Sequence, residues 1–271
     1  MMKFMLLTAD PDFAAEAQAA GVDRIFLDLE FISKVERQKG RNTVISRNTL
    51  ENIAPLRQVL ERSELLVRIN PIHAHTEEEI ERVIAEGADI LMLPMVVDRD
   101  DVELFVKLVK GRAKVCPMVE NALALARLDD ILDVRGIDEI FIGLNDLHIS
   151  MNLTFMFELL AGGLVEYMSD KLQQAGIPFG FGGLAKVGEG LLPAQLVLGE
   201  HYRLHSNSVI LSRTFRNEVG SNTNAPLDLA LEISRLRDCE TQISTWDEKT
   251  FIRNHSEVRR IVREIVQQQC R

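Results

Sequence analysis

The chain is short of cysteine, of basic charge and of long apolar runs. Cys116, Cys239 and Cys270 are the only cysteines in 271 residues. Their odd number and lack of a CxxC pair exclude a disulfide framework and fit a reducing compartment, with cytoplasm the expected location. Lys and Arg number 31 against 41 Asp and Glu, a formal net charge of -10. Without a dense basic run, such a surface repels polyphosphate and argues against nucleic-acid binding. The apolar start, Met1 to Leu7, meets Asp10 and Pro11 too early for a signal-peptide core or a membrane span, and reads instead as a buried strand. No Gly-x-Gly-x-x-Gly follows that strand, which weakens a dinucleotide fold. No serine elbow is present for acyl transfer.

What is present is an ordinary globular mixture, 46% hydrophobic and 27% charged, long enough for one large barrel or two mid-sized domains. A phrase recurs three times: a Gly that ends a helix, an acidic residue two positions on, then an apolar run. Gly21-Val-Asp-Arg-Ile-Phe-Leu-Asp, Gly87-Ala-Asp-Ile-Leu-Met-Leu-Pro and Gly136-Ile-Asp-Glu-Ile-Phe-Ile-Gly each fit a helix C-cap leading into a strand buried on both faces. Lys3 to Leu7, Leu65 to Ile69, Lys114 to Val119, Pro178 to Phe181 and Ser208 to Leu211 bring the strand candidates to eight. Amphipathic segments such as Thr76 to Glu86 lie between them.

Eight such units predict an α/β fold, a (β/α)8 TIM barrel over residues 1–216, rather than an open doubly wound sheet. Residues 217–271 form a helical extension. Its last helix carries Val258, Ile261, Val262, Ile265 and Val266 on one face, a stripe that must bury itself on its own barrel or on a neighbouring subunit.

Loops after the strands of a parallel barrel share one face, so polar strand ends converge there. They read Asp28-Leu-Glu30, Arg68-Ile-Asn70, Glu120-Asn121, Gly143-Leu-Asn145-Asp146, Gly180-Phe-Gly182-Gly183 and Ser212-Arg213. Glu120 and Asp146 each follow a run too apolar to need a carboxylate for packing. Adjacent carboxylates repel unless neutralised, and a hard divalent cation completed by waters and substrate oxygens does this. The alternative is a helix cap by Asp146 and a surface ion pair by Glu120.

The planar fork of Arg68 suits a substrate oxygen, or an ion pair with Asp28 or Glu30. These two carboxylates point the same way along an extended strand. One is expected to hold water or act as a base and the other to orient Arg68, in an order the sequence leaves open. Gly143, Gly182 and Gly183 let backbone approach a ligand and, with Asn145, are candidates for substrate binding. The six histidines do not fall in metal-ligand spacing. His73-Ala-His75 reads as a solvated loop, and only His148 lies on the right rim.

Five phrases then fall in order on successive strand ends: Phe26-Leu-Asp-Leu-Glu30, Val67-Arg-Ile-Asn-Pro71, Leu91-Met-Leu-Pro94, Pro117-Met-Val-Glu120-Asn-Ala-Leu-Ala-Leu and Phe141-Ile-Gly-Leu-Asn-Asp146-Leu. In these the chain resembles the citrate lyase β-subunit and hydroxy-oxo-dioate aldolase family, within the phosphoenolpyruvate/pyruvate group of barrels. The resemblance implies Mg2+ (or Mn2+) held by Glu120 and Asp146, with a substrate carboxylate or enolate oxygen held by Arg68. It further implies a carbon-carbon lyase working through a stabilised enolate, of pyruvate or a related oxo acid in the aldolases and of an acyl thioester in the lyases. A homo-oligomer with its C-terminal helix laid on a neighbour is also implied.

The chain departs from the family pattern at four places. The aldolase histidine after strand two is absent from Glu30-Phe-Ile-Ser, and Phe31 replaces the second Asp of the lyases' Asp-Leu-Glu-Asp. Lys39-Gly-Arg41 only partly echoes the lyases' basic pair, and Leu147-His148-Ile-Ser-Met lacks the small residues usual in the aldolases. The rival expectations are a hydroxyacyl-thioester lyase or hydrolase on the same site, and an inactive barrel serving as a ligand-binding or assembly subunit.

Overall fold

A computed structural model describes residues 1–32, 48–215 and 228–269. Lys39-Gly-Arg41, Arg216 to Pro226 and Cys270 lie outside the described residues. Eight strands alternate with helices: β1 Lys3–Leu7, β2 Arg24–Asp28, β3 Glu64–Arg68, β4 Ile90–Leu93, β5 Lys114–Val119, β6 Ile140–Ile142, β7 Phe179–Leu184 and β8 Ser208–Leu211. Each pairs in parallel with the next, and β8 returns to β1 with Lys3 opposite Ser208, so the sheet closes into a (β/α)8 barrel. The register is regular except between β7 and β8, where it shifts between Gly180 and Gly183.

The recurring phrase has a physical cause. Gly21, Gly87 and Gly136 take φ of +93°, +99° and +96°, the left-handed turn that ends a helix without a Cβ clash. The acid two residues later reaches back to the preceding strand. Asp23 accepts the N–H of Phe4 at 2.8 Å, Asp89 that of Leu65 at 2.7 Å and Asp138 that of Val115 at 2.8 Å. Each acid's own N–H donates to the carbonyl of the same residue, at 3.0, 2.9 and 3.1 Å. The bottoms of β1, β3 and β5 are thereby satisfied by one repeated device.

Alternation along the strands divides the interior in two. Outward residues pack under the helices, while Met5, Phe26, Leu66, Ile90, Met92, Cys116, Met118 and Phe141 fill the lumen. At the N-terminal end the lumen is closed by Arg24, 1% exposed, whose guanidinium meets Glu139 at 2.7 and 3.0 Å and Glu64 at 2.8 Å.

The C-terminal helices Leu229–Ile243 and Glu248–Gln269 lie on the chain's own barrel. Arg237 donates to the Met2 carbonyl and to Asp23, both at 2.7 Å, and stacks on Phe4. Asn254 donates to Glu200 at 3.0 Å, and His255 meets the same carboxylate at 2.9 Å. Val258 and Val262 are buried within the chain, whereas Ile261, Ile265 and Val266 stay half-buried. No helix among the described residues is long and apolar enough to cross a membrane.

Candidate active site at the barrel mouth

The mouth is the next layer above the apolar lumen. Two residues past Phe26, Leu66, Met118 and Phe141 stand Asp28, Arg68, Glu120 and Gly143, so the same alternation that fills the lumen aims these groups inward. Arg68 donates through Nε to Asp28 Oδ1 at 2.9 Å and through Nη2 to Asp28 Oδ2 at 2.8 Å. Glu30 Oε2 is 3.4 Å from the same Nη2. Of the two carboxylates, Asp28 is therefore the one that orients the arginine. The remaining nitrogen, Nη1, faces the Met118 sulfur at 3.8 Å, a weak acceptor that a substrate oxygen can displace. Burial works against the guanidinium charge, but Asp28, Glu30 and Glu120 outweigh it and the pKa of Arg68 is raised.

Glu120 directly follows β5, with 1% of its surface exposed. Its Oε1 accepts the N–H of Met95 at 2.9 Å. Met95 holds a φ of +56° to present that N–H, a strained conformation for a non-glycine residue and of the kind that gathers at functional sites. Gly143 is required beside it, because a Cβ there would stand 2.6 Å from both Cβ and Oε2 of Glu120. Burial first, and the charge of Asp146 second, push the Glu120 pKa up to about 8, with Arg68 pulling the other way.

Asp146 lies in the first turn of helix Leu144–Ser150 and caps nothing with its side chain. It makes no hydrogen bond or ion pair among the described residues, and Glu120 is in no ion pair there either. Among the described residues, neither a side-chain cap by Asp146 nor an ion pair of Glu120 is found. What remains is two mutually repelling carboxylates, one of them buried.

Among the described residues no three His, Cys, Asp or Glu side chains cluster as a metal cage. A cation here would have two protein carboxylates and would need to complete its shell from other oxygens, the style of binding that Mg2+ tolerates.

Other sequence candidates separate. Asn145 is half-buried beside Asp146. Gly182 has a φ of +58° and packs against Leu144, where a Cβ would meet Cδ1 at 2.9 Å; Gly183 has ordinary room, its nearest neighbour the Ile210 carbonyl at 3.8 Å. His148 is buried, with Nδ1 on the Leu144 carbonyl at 3.2 Å. His73 is tied to Glu79 at 2.9 Å rather than solvated, while His75 is exposed. The Met95 N–H donor and the Asn70 contacts described below escaped the sequence reading. A polar residue closing an apolar strand was the only signal for Asn70, and nothing marked Met95.

Fold and mouth together define a (β/α)8 barrel whose polar groups gather at the face where barrel enzymes carry out chemistry. The chain belongs to the HpcH/HpaI aldolase/citrate lyase family, whose model matches residues 1–160, a family of lyase- and aldolase-type enzymes. Among solved structures it is similar to citrate synthase SbnG, at 19% identity over 78% of this chain and 85% of that one, with a TM-score of 0.61. It is also similar to an HpcH/HpaI aldolase/citrate lyase family protein from Burkholderia cenocepacia J2315, at 17% identity over 90% and 95% of the two chains and a TM-score of 0.61. An HpcH/HpaI aldolase from Desulfitobacterium hafniense DCB-2 follows at 15% identity, 91% and 94% coverage and a TM-score of 0.57. At these identities the likeness is one of fold. No curated protein matches the sequence.

Proposed function

We propose that the protein is a divalent-metal-dependent carbon-carbon lyase of aldolase type, acting on pyruvate or a related oxo acid through its enolate. The observation that carries this reading is the charge coupling of buried Glu120 with Asp146, with no ion pair to either among the described residues. Glu120 Oε1 is spent on Met95, and Oε2, beside the Gly143 backbone, is the oxygen that would meet a cation. Bound Mg2+ or Mn2+ would neutralise both acids and supply the Lewis acid that stabilises an enolate.

The chain's own groups then divide the remaining work. Asp28 fixes the plane of Arg68, so that Nη1 can meet the substrate carboxylate or enolate oxygen without searching for its rotamer. Glu30, beside Arg68 but not its main partner, holds water or moves the proton. Gly143, Asn145, Gly182 and Gly183 form the wall against which the substrate lies. The alternative reading is a citrate-lyase-like hydroxyacyl-thioester lyase or hydrolase, in which the same site stabilises the enolate of an acyl thioester; neighbours named as citrate synthase are in keeping with it. Self-association belongs to this reading too, through the half-buried end of the C-terminal stripe; a monomer mass by light scattering would oppose it.

The test is exchange of the pyruvate methyl protons in D2O, followed by NMR with Mg2+, Mn2+ or EDTA. Exchange is expected with either ion, absent with EDTA, and lowered about a hundredfold or more by Glu120→Gln, the scale of losing one charge-stabilising group. Exchange that survives EDTA would contradict the reading.

A further inference from the structure

The end of β2 is held on two sides. Asp28 Oδ1, besides its arginine contact, accepts the N–H of Glu30 at 3.1 Å. Immediately after Glu30, the N–H groups of Phe31 and Ile32 both donate to Asn70 Oδ1, at 3.0 and 3.1 Å. Asn70 is buried, and its Nδ2 donates to Glu79 Oε1 at 2.8 Å, an oxygen that also accepts the Asn70 backbone N–H at 3.2 Å. The far oxygen of Glu79 meets His73 Nε2 at 2.9 Å, and His73 Nδ1 accepts the N–H of His75 at 3.2 Å.

This arrangement has one orientation. Turning the Asn70 amide over would set its NH2 against two N–H donors and its oxygen against a carboxylate. His73 is fixed likewise, since Nδ1 is an acceptor and Nε2 must therefore carry the proton given to Glu79. A buried amide with both ends committed is a rigid strut between the end of β3 and the residue after Glu30.

We propose that Asn70 is a positioning residue of the mouth, acting through Glu30. By fixing Phe31 and Ile32 it sets where the Glu30 carboxylate stands relative to Arg68, and Glu79 and His73 hold Asn70 in that pose. The proposal rests on the reading of Glu30 as the group that holds water or moves the proton.

The test combines a double-mutant cycle with a structure. In the exchange assay, Asn70→Ala is expected to lower kcat about tenfold or more, the scale of a misplaced reacting group, while the KM for pyruvate moves much less. In a Glu30→Gln background the same substitution is expected to change kcat less than about twofold, because its target is already gone. Equal losses in both backgrounds would overturn the proposal, as would a fall in melting temperature with kcat unchanged. A crystal structure of Asn70→Ala decides the matter without any activity. Glu30 displaced from Arg68 supports the strut, and Glu30 unmoved at 3.4 Å overturns it. Absence of exchange in the unaltered protein would contradict the enolate reading, and the variant structure would still decide the role of Asn70.

Discussion

At the scale of single residues, two buried ionisable groups show opposite logic. Glu120 is held at a cost, by burial and by Asp146. Glu120→Gln is accordingly expected to stabilise the metal-free protein, by on the order of 1–3 kcal/mol, because the amide has no charge to desolvate beside Asp146. The substitution should also abolish the rise in melting temperature that Mg2+ or Mn2+ gives. Thermal melts with and without the ion check both parts, and a destabilised Glu120→Gln would oppose them. His201 lies fully buried against Phe181, ring centroids 3.7 Å apart, with Nδ1 on Ser206 at 2.9 Å. Burial lowers its pKa to about 3 from the ordinary 6.5. Between those values the unfolded chain binds a proton that the folded one refuses. The contribution is therefore complete above pH 6.5 and is lost as pH falls toward 3, at about 1.4 kcal/mol per unit. Urea unfolding at pH 7 and pH 5 should show a smaller drop for His201→Gln; an equal drop would count against this assignment.

At the scale of elements, the Gly-x-Asp phrase is the feature that sequence and structure share most closely. Asp23 and Asp89 have additional partners in Arg237 and Arg57, each at 2.7 Å, so Asp138 isolates the backbone contact best. Asp138→Ala is expected to cost about 1–3 kcal/mol by leaving the Val115 N–H without its acceptor, read as a shift in urea midpoint; no shift would refute it. The phrase was legible because it repeats and so placed β2, β4 and β6, while short apolar runs placed the other five strands. The ends of β1, β5 and β8 fell where expected, whereas β7 runs on to Leu184 through glycines that carry no apolar signal. Rim residues were legible as polar ends of apolar strands, and the structure adds that Asp28, Arg68 and Glu120 each stand two places beyond a lumen residue. Long-range partners were not. Arg24 reads as one charge in a strand, and only closure of the barrel brings Glu139, 115 residues away, to its guanidinium. Nothing in the order of residues said which of Asp28 and Glu30 would take Arg68, or that Asn70 would span two loops.

At the scale of the whole molecule, the barrel carries a charged group at each end of an apolar lumen: Arg24 with its acids below, and Arg68 with Asp28 and Glu30 above. The lower cluster is paired and reads as stability, while the upper one, with Glu120 and Asp146 nearby, is where we propose that a ligand binds. The C-terminal helix is part of this body, because Gly199 lets it settle: a Cβ there would stand 2.8 Å from both Asn254 Nδ2 and Trp246 Cζ3. Gly199→Ala is expected to cost about 1–3 kcal/mol by overpacking and to speed proteolysis within Glu248–Gln269; unchanged protease resistance would argue against that docking. An acidic chain of net charge -10 has little general attraction for a small anionic substrate. In the proposed function the mouth is a local exception, created by Arg68 and by a cation on Glu120 and Asp146. Calorimetric titration of Mn2+ into the metal-free protein tests this most directly. One ion per chain, with binding lost in both Glu120→Gln and Asp146→Asn, is the predicted result. Binding that is absent from the unaltered protein, or unchanged in the two variants, would contradict it.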